Sequence, residues 1–252
     1  MSSTKPPSTE PLDAHLAYLK LVFILEHYAT LAEDAAGTHQ GHVAYLTRLI
    51  EGEALLRRER SVQRRIQQAR FPVIKTLEQF QWTWPRKINR LQVQELFRLQ
   101  FIEDKANVIF LGGVGLGKTH LATALGYAAC LKGHRVRFET AVDVINTLAA
   151  AQRTGRLKLA LDRYLKPAVL ILDELGYLPI DKTGADLLFQ ILSHRYEHGA
   201  TVITSNRVYK KWPEIFNNDS TLTSALLDRL LHHSQTVVIE GKSYRMKDQI
   251  ES

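Results

Sequence analysis

A chain of 252 residues with 45% apolar content is long enough for one large α/β domain and a smaller appendage, and two domains are the upper bound. The formal net charge of +7 favours an anionic partner, nucleic acid first, because excess Lys and Arg gather phosphate polyanions and release counterions on contact. The single cysteine, Cys130, excludes an internal disulfide framework and a multi-cysteine metal site.

The N-terminus, Met1 to Pro11, is polar and rich in Pro, with no apolar signal core, and the run Leu21 to Leu25 is far too short to span a membrane. With one cysteine suited to a reducing compartment, a cytoplasmic protein is expected. From Leu12 to about Ala69 apolar residues recur at helical spacing, as in Leu12, Leu16, Leu19 and Phe23, which predicts a small helical domain. Its last helix sets Leu55, Val62, Ile66 and Ala69 on one stripe, and Arg57, Arg58, Arg60, Arg64, Arg65 and Arg70 occupy much of the remaining surface. Two readings fit that surface: a solvated charged face, or a helix that contacts phosphates, with Arg64 and Arg65 among the candidates.

Phe71-Pro72 ends this helix, since Pro disfavours helix for the residue before it. The expected division is therefore a helical domain over 1–68 and a second domain over 69–252. Residues 71–105 read as a lead-in with aromatic anchors Phe80, Trp82 and Trp84 and a helix from about Leu91 to Phe101. Strands are then expected at Asn107 to Leu111, Val136 to Glu139, Val169 to Leu172, Thr201 to Thr204 and Thr236 to Ile239. Helices separate them at Lys118 to Leu131, Val142 to Leu165 with a break at Gly155, Thr183 to His198, and Leu222 to His232. Short β-branched runs alternating with helices indicate an α/β fold with a five-stranded parallel sheet covered on both faces.

The first chemical motif is Gly112-Gly113-Val114-Gly115-Leu116-Gly117-Lys118-Thr119. Its glycines let successive backbone N–H groups turn inwards onto phosphate, the following helix N-terminus adds positive potential, and Lys118 reaches the β and γ phosphates of a nucleotide. Thr119 is the expected Mg²⁺ ligand. The apolar strand Val108 to Leu111 before the loop and the helical run from Leu121 after it supply the context that the motif requires.

The second motif is Val169-Leu170-Ile171-Leu172-Asp173-Glu174, a buried strand that delivers two carboxylates beside that loop. Asp173 is suited to orient Mg²⁺ and Glu174 to polarise an attacking water. Thr204-Ser205-Asn206 closes another strand, where Asn206 is either a turn residue or a hydrogen-bond donor to a γ-phosphate or its attacking water. Arg229 and Arg245 are either surface ion-pair residues or groups that neutralise charge on a transferring phosphoryl group.

Taken together, Gly112 to Ala122 (GGVGLGKTHLA), Ile171 to Pro179 (ILDELGYLP), Thr204 to Arg207 (TSNR), Leu226 to His233 (LLDRLLHH) and Gly241 to Arg245 (GKSYR) make the chain resemble the AAA+ ATPases over nearly its whole length. Within them it is most similar to the DnaC-like branch that includes the IstB helper proteins of insertion sequences. The resemblance implies ATP and Mg²⁺ as cofactors, Asn206 as sensor 1, Arg229 as an arginine finger and Arg245 as sensor 2. It also implies that Arg229 acts in trans on a neighbouring subunit, so that the working enzyme is a homo-oligomer with sites at subunit interfaces. The stretch after Ile239 is too short for the separate helical lid that many AAA+ proteins carry, as in the DnaC-like branch. Initiator-type relatives carry an extra helix at the place of Asn146 to Leu165, where Arg153, Arg156, Lys158 and Arg163 either line a path for the DNA backbone or form a solvated face.

The sequence holds no Asp-Asp-Glu nuclease constellation, no zinc-ligand cluster and no helix-turn-helix. Base-specific readout is therefore not expected, and DNA binding should depend strongly on salt. The reading that results is an ATP-dependent transposition helper, which assembles on double-stranded DNA, presents the site to a transposase and resets on hydrolysis. The alternative is a DnaC-like replicative helicase loader on the same ATPase core. A small-molecule P-loop kinase fits less well, since no Arg-rich lid insertion is present, and intact Lys118, Thr119, Asp173 and Glu174 argue against an inactive scaffold.

Overall fold

The structure, a computed structural model, describes residues 10–246. The polar stretch Met1–Thr9 and residues 247–252 lie outside the described residues. The chain divides into two compact units, Met1–Arg64 and Arg65–Ser252. Among the described residues no helix is long and apolar enough to cross a membrane.

In the first unit, α1 (Glu10–Tyr18), α2 (Val22–Gly37) and the start of α3 (His42–Ala69) close around Leu16, Ile24 and Leu49, with Leu21, Leu25, Tyr28, Leu31 and Tyr45 packed against them. Two side chains fix the start of α2. Glu53, only 5% exposed, accepts a hydrogen bond from the Phe23 amide at 2.9 Å and pairs with Arg57 at 2.9 Å. A carboxylate on the first free N–H groups of a helix is favoured by both hydrogen bonding and the helix dipole.

This arrangement corrects the expected stripe on α3. Leu55 is 57% exposed, and Gly52 and Glu53 face inward instead, the glycine because a Cβ there would run into the Phe23 ring. The spacing of Leu55 to Val62 was in phase with Ile66, but a local demand for a cap on α2 set the inner face one step away. Arg57, counted on the basic surface, is likewise engaged, with Nη2 donating to the carbonyls of Leu19 and Lys20.

In the second unit the last turns of α3 contribute Ile66 and buried Ala69 to the core. The helix expected over Leu91 to Phe101 is two pieces, α4 (Arg90–Leu96) and α5 (Gln100–Glu103). Leu99 separates them in the left-handed region, φ 65°, with its side chain buried at 5% exposure. Asn89 starts α4 by accepting from the Gln92 amide at 3.1 Å, an N-cap bond that satisfies one free donor.

Five parallel strands follow, β1 (Asn107–Gly112), β2 (Val136–Thr140), β3 (Val169–Leu175), β4 (Ala200–Ser205) and β5 (Ser234–Ile239), in the order β2-β3-β4-β1-β5. The connecting helices are α6 (Lys118–Leu131), α7 (Ala141–Arg153), α8 (Leu157–Leu165), α9 (Lys182–Arg195), α10 (Trp212–Ile215) and α11 (Ser220–His232). Alternation along each strand builds two cores. Val108, Phe110, Phe138, Ile171 and Val202 face α6 and the lead-in, whereas Ile109, Leu111, Leu170, Leu172 and Ile203 face α7 to α11.

Arg195, at the end of α9 and 2% exposed, ties the starts of two strands together. Its guanidinium donates to the carbonyls of Tyr164 at 2.8 Å, Pro167 at 3.0 Å and Ala200 at 2.6 Å, and to Thr201 Oγ1 at 3.2 Å. Burial lowers its pKa to about 10. Among the described residues it has no carboxylate partner, so the carbonyl dipoles carry the whole compensation for burying the cation.

Candidate nucleotide site

The loop from Gly112 to Gly117 leaves the C-terminal end of β1, the strand between β4 and β5, and runs into α6. Two glycines are structurally required. Gly115 has φ 73°, and a Cβ there would overlap Ser243 Oγ; Gly117 has φ 86°, and a Cβ would lie 2.6 Å from the Phe80 ring. Gly117 is the N-cap of α6 and has no side-chain cap, so the first amides of α6 stay free for an anion. Lys118 Nζ lies 2.6 Å from the Gly113 carbonyl, folded back along the loop. Burial lowers its pKa, Asp173 and Glu174 oppose that shift, and Arg245 adds to it. A phosphate in front of the loop would supply the anionic partner that Lys118 and Arg245 share.

Asp173, on β3 and 4% exposed, is a second focus of hydrogen bonds. Thr119 Oγ1 lies 3.0 and 3.1 Å from its two oxygens, and Thr204 Oγ1 donates to Oδ1. No ion-pair partner lies within 4.0 Å of this buried carboxylate among the described residues. A hard oxygen pair made of Thr119 and Asp173, with no cation in ion-pair range, fits a divalent cation of the Mg²⁺ type.

The neighbouring Glu174 sits in the left-handed region, φ 59°, where the β3–β4 register shifts between Leu172 and Leu175. Its amide donates to Thr204 Oγ1 at 3.0 Å, and Ser205 Oγ donates to the Leu175 carbonyl at 2.7 Å. These two bonds hold a conformation that costs on the order of 1–3 kcal/mol in a residue with a side chain, and they leave the Glu174 side chain exposed beside the loop.

Lys118, Thr119, Glu174, Asn206 and Arg245 line one cleft of about 710 Å³. The sequence reading gave each of them a role at one nucleotide site. It missed two contributors. Thr204 was seen only as part of the strand end, yet its hydroxyl binds both the Asp173 carboxylate and the Glu174 amide. The lead-in supplies the apolar wall, where Pro72, Val73, Phe80 and Trp84 line the cleft. His120 Nε2 lies 2.8 Å from the Thr76 carbonyl, and Trp84 Nε1 donates to the Lys242 carbonyl at 3.0 Å while its ring meets Tyr244 edge-on at 5.6 Å. The signal was available in the cluster of aromatic residues and X-Pro steps just upstream of the loop, a composition suited to holding a flat heterocycle.

Arg229 stands apart. It lies on α11, outside the lining of this cleft, with Nη1 donating to the Ala225 carbonyl at 3.0 Å and its guanidinium 5.1 Å from the centre of the Phe189 ring. Of the residues picked as DNA contacts, Arg64, Arg153, Arg156 and Lys158 are exposed. Arg65 is half-buried and donates from Nε to the Cys130 carbonyl at 3.1 Å, so that part of its hydrogen bonding serves α6.

The family model for IstB-like ATP binding proteins matches residues 14–252. The chain is 43% identical over 237 residues to the ATP-binding protein of insertion sequence IS21 from Pseudomonas aeruginosa, covering 94% of this chain and 89% of that one. It is 40% identical over 230 residues to the corresponding protein of insertion sequence IS5376 from Geobacillus stearothermophilus, covering 91% of each. Among solved structures it is similar to the replication initiator DnaA bound to AMPPCP and single-stranded DNA, with a TM-score of 0.55 and 25% identity. That match covers 70% of this chain and 54% of the initiator, so the chain spans about half of that protein's length. The fold is also that of the DnaC helicase loader, at a TM-score of 0.53 and 23% identity over 66% of this chain and 96% of that one. With its loop, paired carboxylates and five-stranded sheet in the order of an AAA+ core, the chain belongs to the family of IstB-like ATP-binding proteins.

Proposed function

We propose that the chain hydrolyses ATP in this cleft and uses the cycle to assemble on double-stranded DNA and present it to a transposase. The observation that carries the hydrolytic part is the convergence of Lys118, Glu174 and Asn206 on one cleft, with Glu174 held in a strained backbone beside the phosphate loop. The amides of Gly113 to Lys118 bind the phosphates, and Lys118 spans the β and γ positions. Thr119 and Asp173 would hold Mg²⁺, which neutralises phosphate charge when bound. The Glu174 carboxylate takes a proton from the water that attacks the γ-phosphorus, the β–γ bridging oxygen leaves with ADP, and Asn206 orients that water by hydrogen bonding. Arg245 lines the same cleft and stabilises charge on the γ-phosphate in cis.

The position of Arg229 outside the cleft supports a finger that serves the site of a neighbouring subunit, and so a homo-oligomer. The helical segment 1–68 is the partner or DNA domain in this reading and 69–252 the ATPase domain, with the exposed Arg64, Arg153, Arg156 and Lys158 facing the DNA backbone. The work takes place in the cytoplasm. The names of the similar insertion-sequence proteins support the transposition role.

Fluorescence anisotropy at fixed salt, on duplex and single-stranded DNA with ATP, with ADP and without nucleotide, tests the reading. Tight binding to duplex that requires ATP is expected. Preference for single strands would move the function to helicase loading, and no binding in any state would remove DNA from the proposal.

A further inference from the structure

At the opposite end of the sheet from the nucleotide cleft, three side chains gather that none of the sequence motifs brought together. Glu197 follows α9, His232 is the last residue of α11, and His233 leads into β5. Their donor atoms all lie within 4.8 Å of one another, and all three residues are exposed. Among the described residues this is the one place where three potential metal ligands meet. Because Ser234 pairs with Asn107 at the start of β1, the cluster and the phosphate loop sit at opposite ends of a strand about 20 Å long, at roughly 3.3 Å per residue.

The backbone around the cluster is fixed at both sides. The Asn107 amide donates to the His233 carbonyl at 2.7 Å. Glu197 has φ 60°, in a turn closed by the amides of His198 and Gly199, which both donate to the Arg195 carbonyl at 3.0 Å. Arg195 itself is the buried hub described above. Exposed side chains are thus mounted on a rigid frame.

His232 also has an orienting partner. Its Nδ1 lies 2.9 Å from Tyr196 Oη. An imidazole that donates Nδ1–H to a neighbour keeps the Nε2 lone pair for a cation, the arrangement that metal-bound histidines use. In a tetrahedral site with metal–nitrogen bonds of about 2.0–2.1 Å, ligand atoms lie roughly 3.4 Å apart. Rotations about the side-chain bonds of exposed residues are sufficient to close 4.8 Å to that spacing.

We propose that Glu197, His232 and His233 form a site for a divalent late transition-metal ion of the Zn²⁺ type, which staples the C-terminal end of α9 to the junction of α11 and β5. Two imidazoles and one carboxylate select a borderline ion over Mg²⁺, which prefers an all-oxygen octahedron. Water completes the coordination on the solvent side. Arg229 lies one turn before His232 on the same helix and already rests on Phe189 of α9, so the ion would stiffen the segment that carries this arginine.

The test uses the full chain, stripped of metal by a chelator and kept free of nucleotide, since phosphates bind divalent ions themselves. Zn²⁺ is titrated by calorimetry, Co²⁺ by visible absorption, and amide exchange is followed across residues 226–233. One equivalent should bind, Co²⁺ should show the intense bands of a low-symmetry four-coordinate site, and exchange at the end of α11 should slow. The double variant His232→Ala/His233→Ala should lose the bands. Glu197→Gln, an exposed change outside any helix, should weaken Zn²⁺ by about 10–100-fold, the range that loss of even an outer partner produces. Circular dichroism confirms that each variant is folded. Absence of saturable binding in the parent chain, or unchanged titrations in either folded variant, would overturn the proposal.

Discussion

Replacing Thr204 by Val tests whether the hydroxyl between the Asp173 carboxylate and the Glu174 amide is what holds these two residues. The exchange keeps the shape of a side chain that is 1% exposed and removes one oxygen. That oxygen accepts from the Glu174 amide at 3.0 Å and donates to Asp173 Oδ1. An amide left without an acceptor costs about 1–3 kcal/mol, and a bond to a charged group contributes about 1.5–3 kcal/mol, so a destabilisation of roughly 2–4 kcal/mol remains after local relaxation. For a unit of this size that corresponds to a fall of roughly 4–16 °C in Tm. All three tryptophans, Trp82, Trp84 and Trp212, belong to the second unit, so their fluorescence reports its unfolding selectively. Turnover should fall by about 10–100-fold as Glu174 relaxes from its left-handed backbone, and ATP affinity should change less, because the phosphate loop makes no hydrogen bond to Thr204. Thr204→Ser should retain most of both properties. A Thr204→Val protein within about 0.5 kcal/mol of the parent and with unchanged turnover would refute the bracing role.

Lys118→Ala should abolish ATP binding in a folded protein, whereas Glu174→Gln should bind ATP and accumulate the assembled complex, both read by nucleotide binding and steady-state hydrolysis. Mixing Arg229→Ala with Glu174→Gln subunits should restore part of the hydrolysis that each lacks alone; no recovery at any ratio would sink a finger acting in trans. Arg195→Met should destabilise the second unit by about 3–5 kcal/mol in a urea titration, since the carbonyls of Tyr164, Pro167 and Ala200 lose their donor. Burial raises the Cys130 thiol from its ordinary value of 9.0 to about 11, so the folded state favours the neutral form. The resulting stability is complete below pH 9 and disappears as pH rises through about 11, a change of roughly 2–3 kcal/mol that Cys130→Ala should remove from the stability–pH curve.

The parts of the candidate site that depend on local chain chemistry leave the plainest mark on the sequence. A phosphate loop needs its glycines and lysine in a fixed order between a strand and a helix, and β1, the loop and α6 follow that order. Strand identities were legible for a related reason, since a sheet covered on both faces demands continuous apolar runs such as Val169 to Leu172. What stayed hidden depends on register. Thr204 stands beside Asp173 only because Leu172 pairs with Ile203. Glu197 approaches His232 across 35 residues of chain, so the sequence reading found no zinc-type cluster there. The turn at Leu99 and the exposure of Leu55 escaped because helical periodicity records which residues are apolar, and says nothing of a left-handed break or of a carboxylate recruited to cap another helix.

The order β2-β3-β4-β1-β5 has a consequence for the birth of the molecule. The strand that carries the phosphate loop is made first, yet both of its neighbours, Ala200–Ser205 and Ser234–Ile239, are made last. During synthesis β1 therefore waits, unpaired and apolar, while nearly half of the second unit is translated. Such a strand is a target for chaperones and for wrong partners. The cleft itself is completed by Tyr244 and Arg245, so a nascent chain cannot bind ATP in full until those residues clear the ribosome. Nucleotide capture then acts as a late check, available only to a molecule whose strands have already found their final order.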